Sequence, residues 1–293
     1  ALRCIYSEGE SRRYAELAPL GTKPVTETTQ RLRDRGWMNR AQAPSALIGY
    51  SGFVGSTLLR QASFDELYRS FGLAVCSAAP AQKWLANREP EKDWANIAQL
   101  IERLKRIECE RLVLISTVDV FAVPQNVDES SEVPEKGLHP YGLHRRMLEQ
   151  FVQQKFPSSL IVRLPGLVGP GLRKNVLFDF RNENNLDAVD SRSVFQFYPM
   201  VNLWADIQLA LSSDLQLVHF AAEPLSVAEV AQHGFCRQFS REGPQAPARY
   251  DMRSRHASLF GARGSYQYSK REVLLAIRAY AQSEPIVSKG NAE

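Results

Sequence analysis

Tyr141 and Arg145 stand four residues apart at the start of a stretch, Pro140 through Phe151, whose spacing predicts a helix, so their side chains share one face. A phenol titrates at about 10 in isolation, and a neighbouring cation lowers that value by favouring the phenolate. A tyrosine so placed can exchange a proton with a substrate hydroxyl. Its plain alternative is an ordinary half-buried aromatic. Upstream, the apolar run Leu112-Val113-Leu114-Ile115 ends in Ser116-Thr117, a pattern for a buried strand that delivers hydroxyls at its end. His144 and Arg146 fall on other faces of the helix and are read as solvent residues.

A second constellation is Ala46-Leu47-Ile48-Gly49-Tyr50-Ser51-Gly52-Phe53-Val54-Gly55, an apolar run breaking into three glycines spaced G-x-x-G-x-x-G. Such a turn can hold a dinucleotide: Gly49 permits the tight strand-to-helix turn, Gly52 lets backbone approach a pyrophosphate, and Gly55 lets the helix pack closely. The amides of Ser51, Phe53 and Val54 would complete the cradle. By spacing alone, a glycine-rich loop without a ligand is equally open.

Glycine turn, strand ending in Ser-Thr and Tyr-x-x-x-cation helix occur in one order, and in that order the chain resembles the extended short-chain dehydrogenase/reductase family, over roughly Ser45 to Tyr280. Leu73 to Ala79 looks like the family's fourth strand with its Ala78-Ala79 turn, Asn96 like its helix asparagine, and Ile161 to Gly171 like its sixth strand with the loop over nicotinamide, which includes Pro165 and Gly166. The resemblance implies an α/β fold, a Rossmann-type doubly wound parallel sheet with a small C-terminal substrate lobe. It also implies NAD(P)-dependent hydride transfer on a sugar or nucleotide sugar. Thr117, Tyr141 and Arg145 would carry the chemistry: Tyr141 as acid–base group, Thr117 on the developing carbonyl, Arg145 orienting ribose and stabilising phenolate.

Three departures stand out. The family's fourth motif position is lysine, and here it is Arg145, which keeps the charge but is planar and bulkier. About 20 residues past the first glycine, where NAD-binding members carry an acid, this chain has Arg69 and Ser70, which suit a 2′-phosphate and point to NADP, with NAD as the alternative. Arg69 as a bare surface strand end is the competing view. Finally, a second strand over 66–70 would leave almost nothing before the next strand near Gly72, far short of a parallel crossover. Either a unit is deleted and the link strained, or a loop is missing.

The chain has 293 residues, 44% apolar and 23% charged, with a formal charge of +4. That suits one large core and phosphorylated small molecules, with basic and acidic residues interspersed rather than clustered as for nucleic acid. Cys4, Cys76, Cys109 and Cys236 show no metal or disulfide spacing, and no apolar run is long enough to span a membrane. A cytoplasmic enzyme is the expectation. Residues 1–37 read as an extension of unknown role. Residues 38–293 read as one domain, with the dinucleotide core at about 45–170 and the lobe in 171–293.

Substrate candidates are Lys83, Trp84 and Asn87 after the Ala-Ala turn, and Arg173, Lys174 and Asn175 after Gly171. A solvated turn is the plain alternative for each. Thr117-Val118-Asp119 lacks the Asp-Glu pair of a dehydratase of this kind, leaving an epimerase or reductase. A non-catalytic dinucleotide sensor is the rival reading, and a structural partner binding through the N-terminal arm is a third. By resemblance, a homodimer would pair through the helices bearing Tyr141 and Asn96.

Overall fold

Short apolar runs bounded by turn residues become five parallel strands: β1 (Ser45–Ile48), β2 (Ser70–Cys76), β3 (Glu108–Thr117), β4 (Leu160–Leu164) and β5 (Leu217–His219). The computed structural model describes residues 45–64 and 70–287. Between and after the strands lie helices α1 (Phe53–Gln61), α2 (Lys83–Arg88), α3 (Pro90–Leu104), α4 (Pro140–Lys155), α5 (Val176–Asn182), α6 (Leu203–Ser212) and α7 (Lys270–Ser283). Registers pair Ile48 with Cys76, Cys76 with Leu114 and Thr117 with Leu164. The glycine turn, the Ala-Ala turn and Thr117 therefore emerge at one end of the sheet.

Alternation along the strands sorts the core into two layers, because successive side chains of a strand point to opposite faces. Leu47, Val75, Val113 and Val162 pack on Leu58 of α1 and on Leu203 and Ile207 of α6. Ala46, Ala74, Leu112 and Ile161 pack on Ile97, Leu100 and Leu104 of α3 and on Leu148 and Val152 of α4. A third cluster, with Leu177, Phe180, Phe197, Val273 and Ile277, is the core of the lobe. Among the described residues no helix is long and apolar enough to cross a membrane.

The parallel sheet with helices on both faces is the expected class, but its strand order departs from the expected one. Among the described residues the order follows the chain, β1-β2-β3-β4-β5, with β1 at an edge. Most of the predicted second strand, 66–70, lies outside the described residues, and Ser70 opens β2 instead of closing a strand. The β1–α1–β2 and β2–α3–β3 connections step the same way across opposite faces, so they have opposite hands. The right-handed preference of such crossovers is broken at one of them.

A buried ionic network ties β3, α4, β4 and β5 together. Glu149 accepts from Arg163 at 3.0 and 2.8 Å and from Ser116 at 2.6 Å. His219 lies 3.3 Å from Arg163 Nη1, and its Nδ1 faces the Arg253 carbonyl at 3.0 Å. Burial pushes the His219 pKa down to about 4, so the ring is neutral.

Candidate active site

Packing alone dictates two of the three turn glycines. Gly49 ends β1 with φ +87°, and a Cβ there would lie 2.5 Å from the Ala78 Cα. At Gly55 a Cβ would run into the Gly49 carbonyl and lie 2.7 Å from the Tyr50 Cα. Gly52, the exposed N-cap of α1, is different: its nearest neighbour would be the Gly49 oxygen at 3.7 Å, an ordinary contact. No side chain caps the helix at Gly52. Helix N-terminal amides beside a residue with no internal reason to be glycine form a cradle that fits a phosphate group. Phe53 and Val54 send their side chains into apolar clusters, leaving only backbone to a ligand, and Ser51 is exposed beside them. Ala78 and Ala79 pack on the core next to Gly49.

Tyr141 is set in place by the start of α4. His139 Nδ1 accepts from the Gly142 amide at 3.0 Å, Pro140 takes the first turn, and Asn87 Oδ1 accepts from the Tyr141 amide at 3.0 Å. A Cβ on Gly142 would strike the Asp119 carbonyl, so the helix sits directly on the turn that follows Thr117. The phenol is buried near the Thr117 side chain. Burial raises its pKa above the ordinary value; Arg145 and the Thr117 hydroxyl oppose the shift, and Asp119 adds to it. The expected cation-driven lowering is overturned, because removing the phenol from water outweighs the cation.

Arg145 has no accessible donor for a ribose. Nη1 serves Asp93 Oδ2 and the Tyr141 carbonyl, Nη2 serves Asp93 Oδ1 at 2.9 Å and the Pro80 carbonyl, and Nε is buried without a partner. A guanidinium has five N–H groups, so four are committed inside the protein. The ribose-orienting role expected for Arg145 is therefore corrected. The helix asparagine fares likewise: Asn96 is exposed, and Asp93, one turn earlier on α3, is the buried residue. Burial works against the Asp93 charge, yet hydrogen bonds from Arg145 and His144 hold its pKa below the usual carboxylate range. His144 is also corrected: it is 8% exposed, with Nδ1 2.7 Å from Asp93 and its ring against Trp94. Arg146 is half-buried and reaches Glu149 at 3.1 Å.

A second polar cluster, outside the sequence reading apart from Lys83, borders the tyrosine. Lys83 donates to Asp119 Oδ1 at 2.7 Å and to the Tyr250 hydroxyl at 3.1 Å, and that hydroxyl donates to Asp119 at 3.0 Å. Burial opposes the Lys83 charge, but Asp119 and Tyr250 overcome it and raise the pKa. Lys174 reaches across to the Ala81 carbonyl. Trp84 is 62% exposed with Arg88 stacked on it, its ring 5.0 Å from the guanidinium. Arg173 is exposed. Two other candidates serve structure: exposed Asn87 through its Oδ1 on the Tyr141 amide, and Asn175, at φ +89°, on the Leu177 amide and the Leu167 carbonyl.

Some predicted cofactor residues do not meet the rest. Ser70 pairs with Glu108 at the opposite end of the sheet from the glycine turn, and Arg69 lies outside the described residues. Gly166 is required by its neighbour, since a Cβ there would lie 2.6 Å from the Gln196 oxygen. Pro165 joins β4 to the short strand Gly166–Val168.

No protein-family model matches the chain, and none of the curated proteins matches it by sequence. Solved structures do. RMD from Pseudomonas aeruginosa, complexed with NADPH, is 16% identical over 84% of this chain and 99% of that one, with a TM-score of 0.62. The dTDP-4-dehydrorhamnose reductase from Yersinia enterocolitica is 16% identical over 81% and 98%, also at 0.62. MoeE5, in complex with UDP-glucuronic acid and NAD, is 15% identical over 81% and 98%, at 0.64. These likenesses establish the architecture: the chain has the Rossmann-type α/β fold of these proteins.

Proposed function

We propose that the chain binds a nicotinamide dinucleotide, NADP with NAD as the alternative, and acts as a reductase or epimerase on a sugar or nucleotide sugar. The observation that carries this reading is the buried Tyr141 phenol beside Thr117, at the same sheet end as the open cradle of Gly52. Supporting it are similar folds solved with NADPH, with NADP and with UDP-glucuronic acid plus NAD.

When bound, the nicotinamide supplies hydride exchange at carbon. Tyr141 Oη holds the proton that the substrate oxygen gains or loses, and Thr117 Oγ1 steadies that oxygen. A phenol raised by burial stays protonated at neutral pH, which suits donation to a developing alkoxide. We therefore favour the direction of carbonyl reduction.

A second reading, a dinucleotide sensor without turnover, draws on Arg145, whose donors are committed to Asp93, Pro80 and Tyr141. One experiment separates the two. Titration with NADPH, NADP and NAD reports binding, and a panel of 4-keto and 4-hydroxy nucleotide sugars reports turnover. Turnover abolished by Tyr141→Phe with cofactor affinity kept supports the enzyme. Binding with no turnover in the parent supports the sensor, and no binding of any dinucleotide sinks both.

A further inference from the structure

If Arg145 cannot face a ligand, the cation of the tyrosine site must come from elsewhere, and donor accounting identifies where. An ammonium carries three N–H groups. Lys83 spends two, on Asp119 and Tyr250. Lys174 spends one, on the Ala81 carbonyl, and has no carboxylate within ion-pair distance among the described residues. Unlike Lys83 and Arg145 it makes no ion pair, and two of its donors are free.

Its position is set by the chain. Lys174 takes the Ala81 carbonyl and Arg145 takes the Pro80 carbonyl, so ammonium and guanidinium sit on successive carbonyls of one turn. That turn leaves β2 directly against Gly49, where Ala78 fills the space a side chain would need. Any dinucleotide with its pyrophosphate at Gly52 and its far ring at Tyr141 has to pass this turn. The loop bearing Lys174 is anchored on one side by Asn175, through Leu167 and Leu177. On the other side is Gly171, at φ +85° with open space around it.

Resting on the dinucleotide reading, we infer that Lys174, reaching over from the lobe, is the ligand-facing cation of the site and holds the ribose–phosphate stretch between Gly52 and Tyr141. The work expected of one residue on α4 is thereby divided. Arg145, locked by Asp93, supports the tyrosine from beneath, and Lys174 meets the ligand. A compact ammonium with free donors suits ribose hydroxyls and phosphate oxygens alike.

The test is a fluorescence titration of NADPH into the parent, Lys174→Met, Lys174→Arg and Gly52→Val, repeated at low and high salt. Lys174 is exposed, so Lys174→Met should melt as the parent does. Losing a charge-assisted contact should weaken NADPH binding at least about ten-fold, flatten its salt dependence, and be partly rescued in Lys174→Arg. Binding by Lys174→Met within about two-fold of the parent, with an unchanged salt slope, overturns the inference while leaving the dinucleotide reading intact. A parent that binds no NADPH, or a Gly52→Val that binds it as the parent does, overturns the reading itself.

Discussion

The guanidinium carbon of Arg145 lies 4.0 Å from the centroid of the Tyr141 ring, and Asp93 on the neighbouring helix holds it there. The cation therefore meets the aromatic face of the tyrosine. From there it tempers the effect of burial on the phenol without touching a ligand. Replacements at 93, 141 and 145 should accordingly behave as a coupled set.

Asp93→Ala would leave the Arg145 charge buried and unpaired. Breaking a buried pair of this kind costs about 3–5 kcal/mol, and denaturant unfolding should show a loss in that range. A loss below about 1 kcal/mol would mean that the pair does not hold α3 to α4.

Arg145→Lys restores the usual residue of the related motif, yet it should be harmful here. A single ammonium cannot serve both Asp93 oxygens and the Pro80 carbonyl at once. We expect a lower melting temperature and reduced turnover. Activity at or above the parent's in Arg145→Lys alone would contradict the geometry.

The turn glycines should separate stability from binding. Gly55→Ala forces a methyl into the Gly49 carbonyl and should lower the melting temperature markedly. A Cβ at Gly52 meets only ordinary contact, so Gly52→Val should melt within a few degrees of the parent while losing NADPH binding. Equal melting temperatures for the two variants would refute the distinction.

Two titrations have opposite signs. Tyr141 is raised, so its protonated form persists through neutral pH; carbonyl reduction should be flat across that range and decline only above about 10. His219 is lowered to about 4, so the fold prefers the neutral ring. Its contribution is complete above the ordinary value of about 6.5 and is lost as pH falls through 4. Melting temperature should fall over that window, and His219→Gln should shrink the fall.

The placement of the glycine turn, Thr117 and Tyr141 at one end of the sheet was legible because each lies at a strand end or a helix start. The partners of Arg145 were not, since Asp93 lies far off in sequence and polar helix residues are read as solvent-facing. A signal was nevertheless present. Asp93 is in phase with the buried Ile97, Leu100 and Leu104, and His144 with Leu148 and Val152, so both interrupt an apolar stripe. Tyr250 had no such signal, because only tertiary folding carries it from the lobe to Lys83. Ser70 was misplaced for want of sheet register, which no run of residues encodes alone.

The edge position of β1 has a consequence for how this scaffold tolerates change. The segment from α1 to β2 is a place where chain could be spliced in without passing through an existing strand, since β1 has a neighbour on only one side among the described residues. An added strand–helix–strand unit there could extend the sheet outward beyond β1 and return to β2. In engineering terms the molecule carries a natural insertion point, next to the cradle at Gly52 but outside its two packed layers.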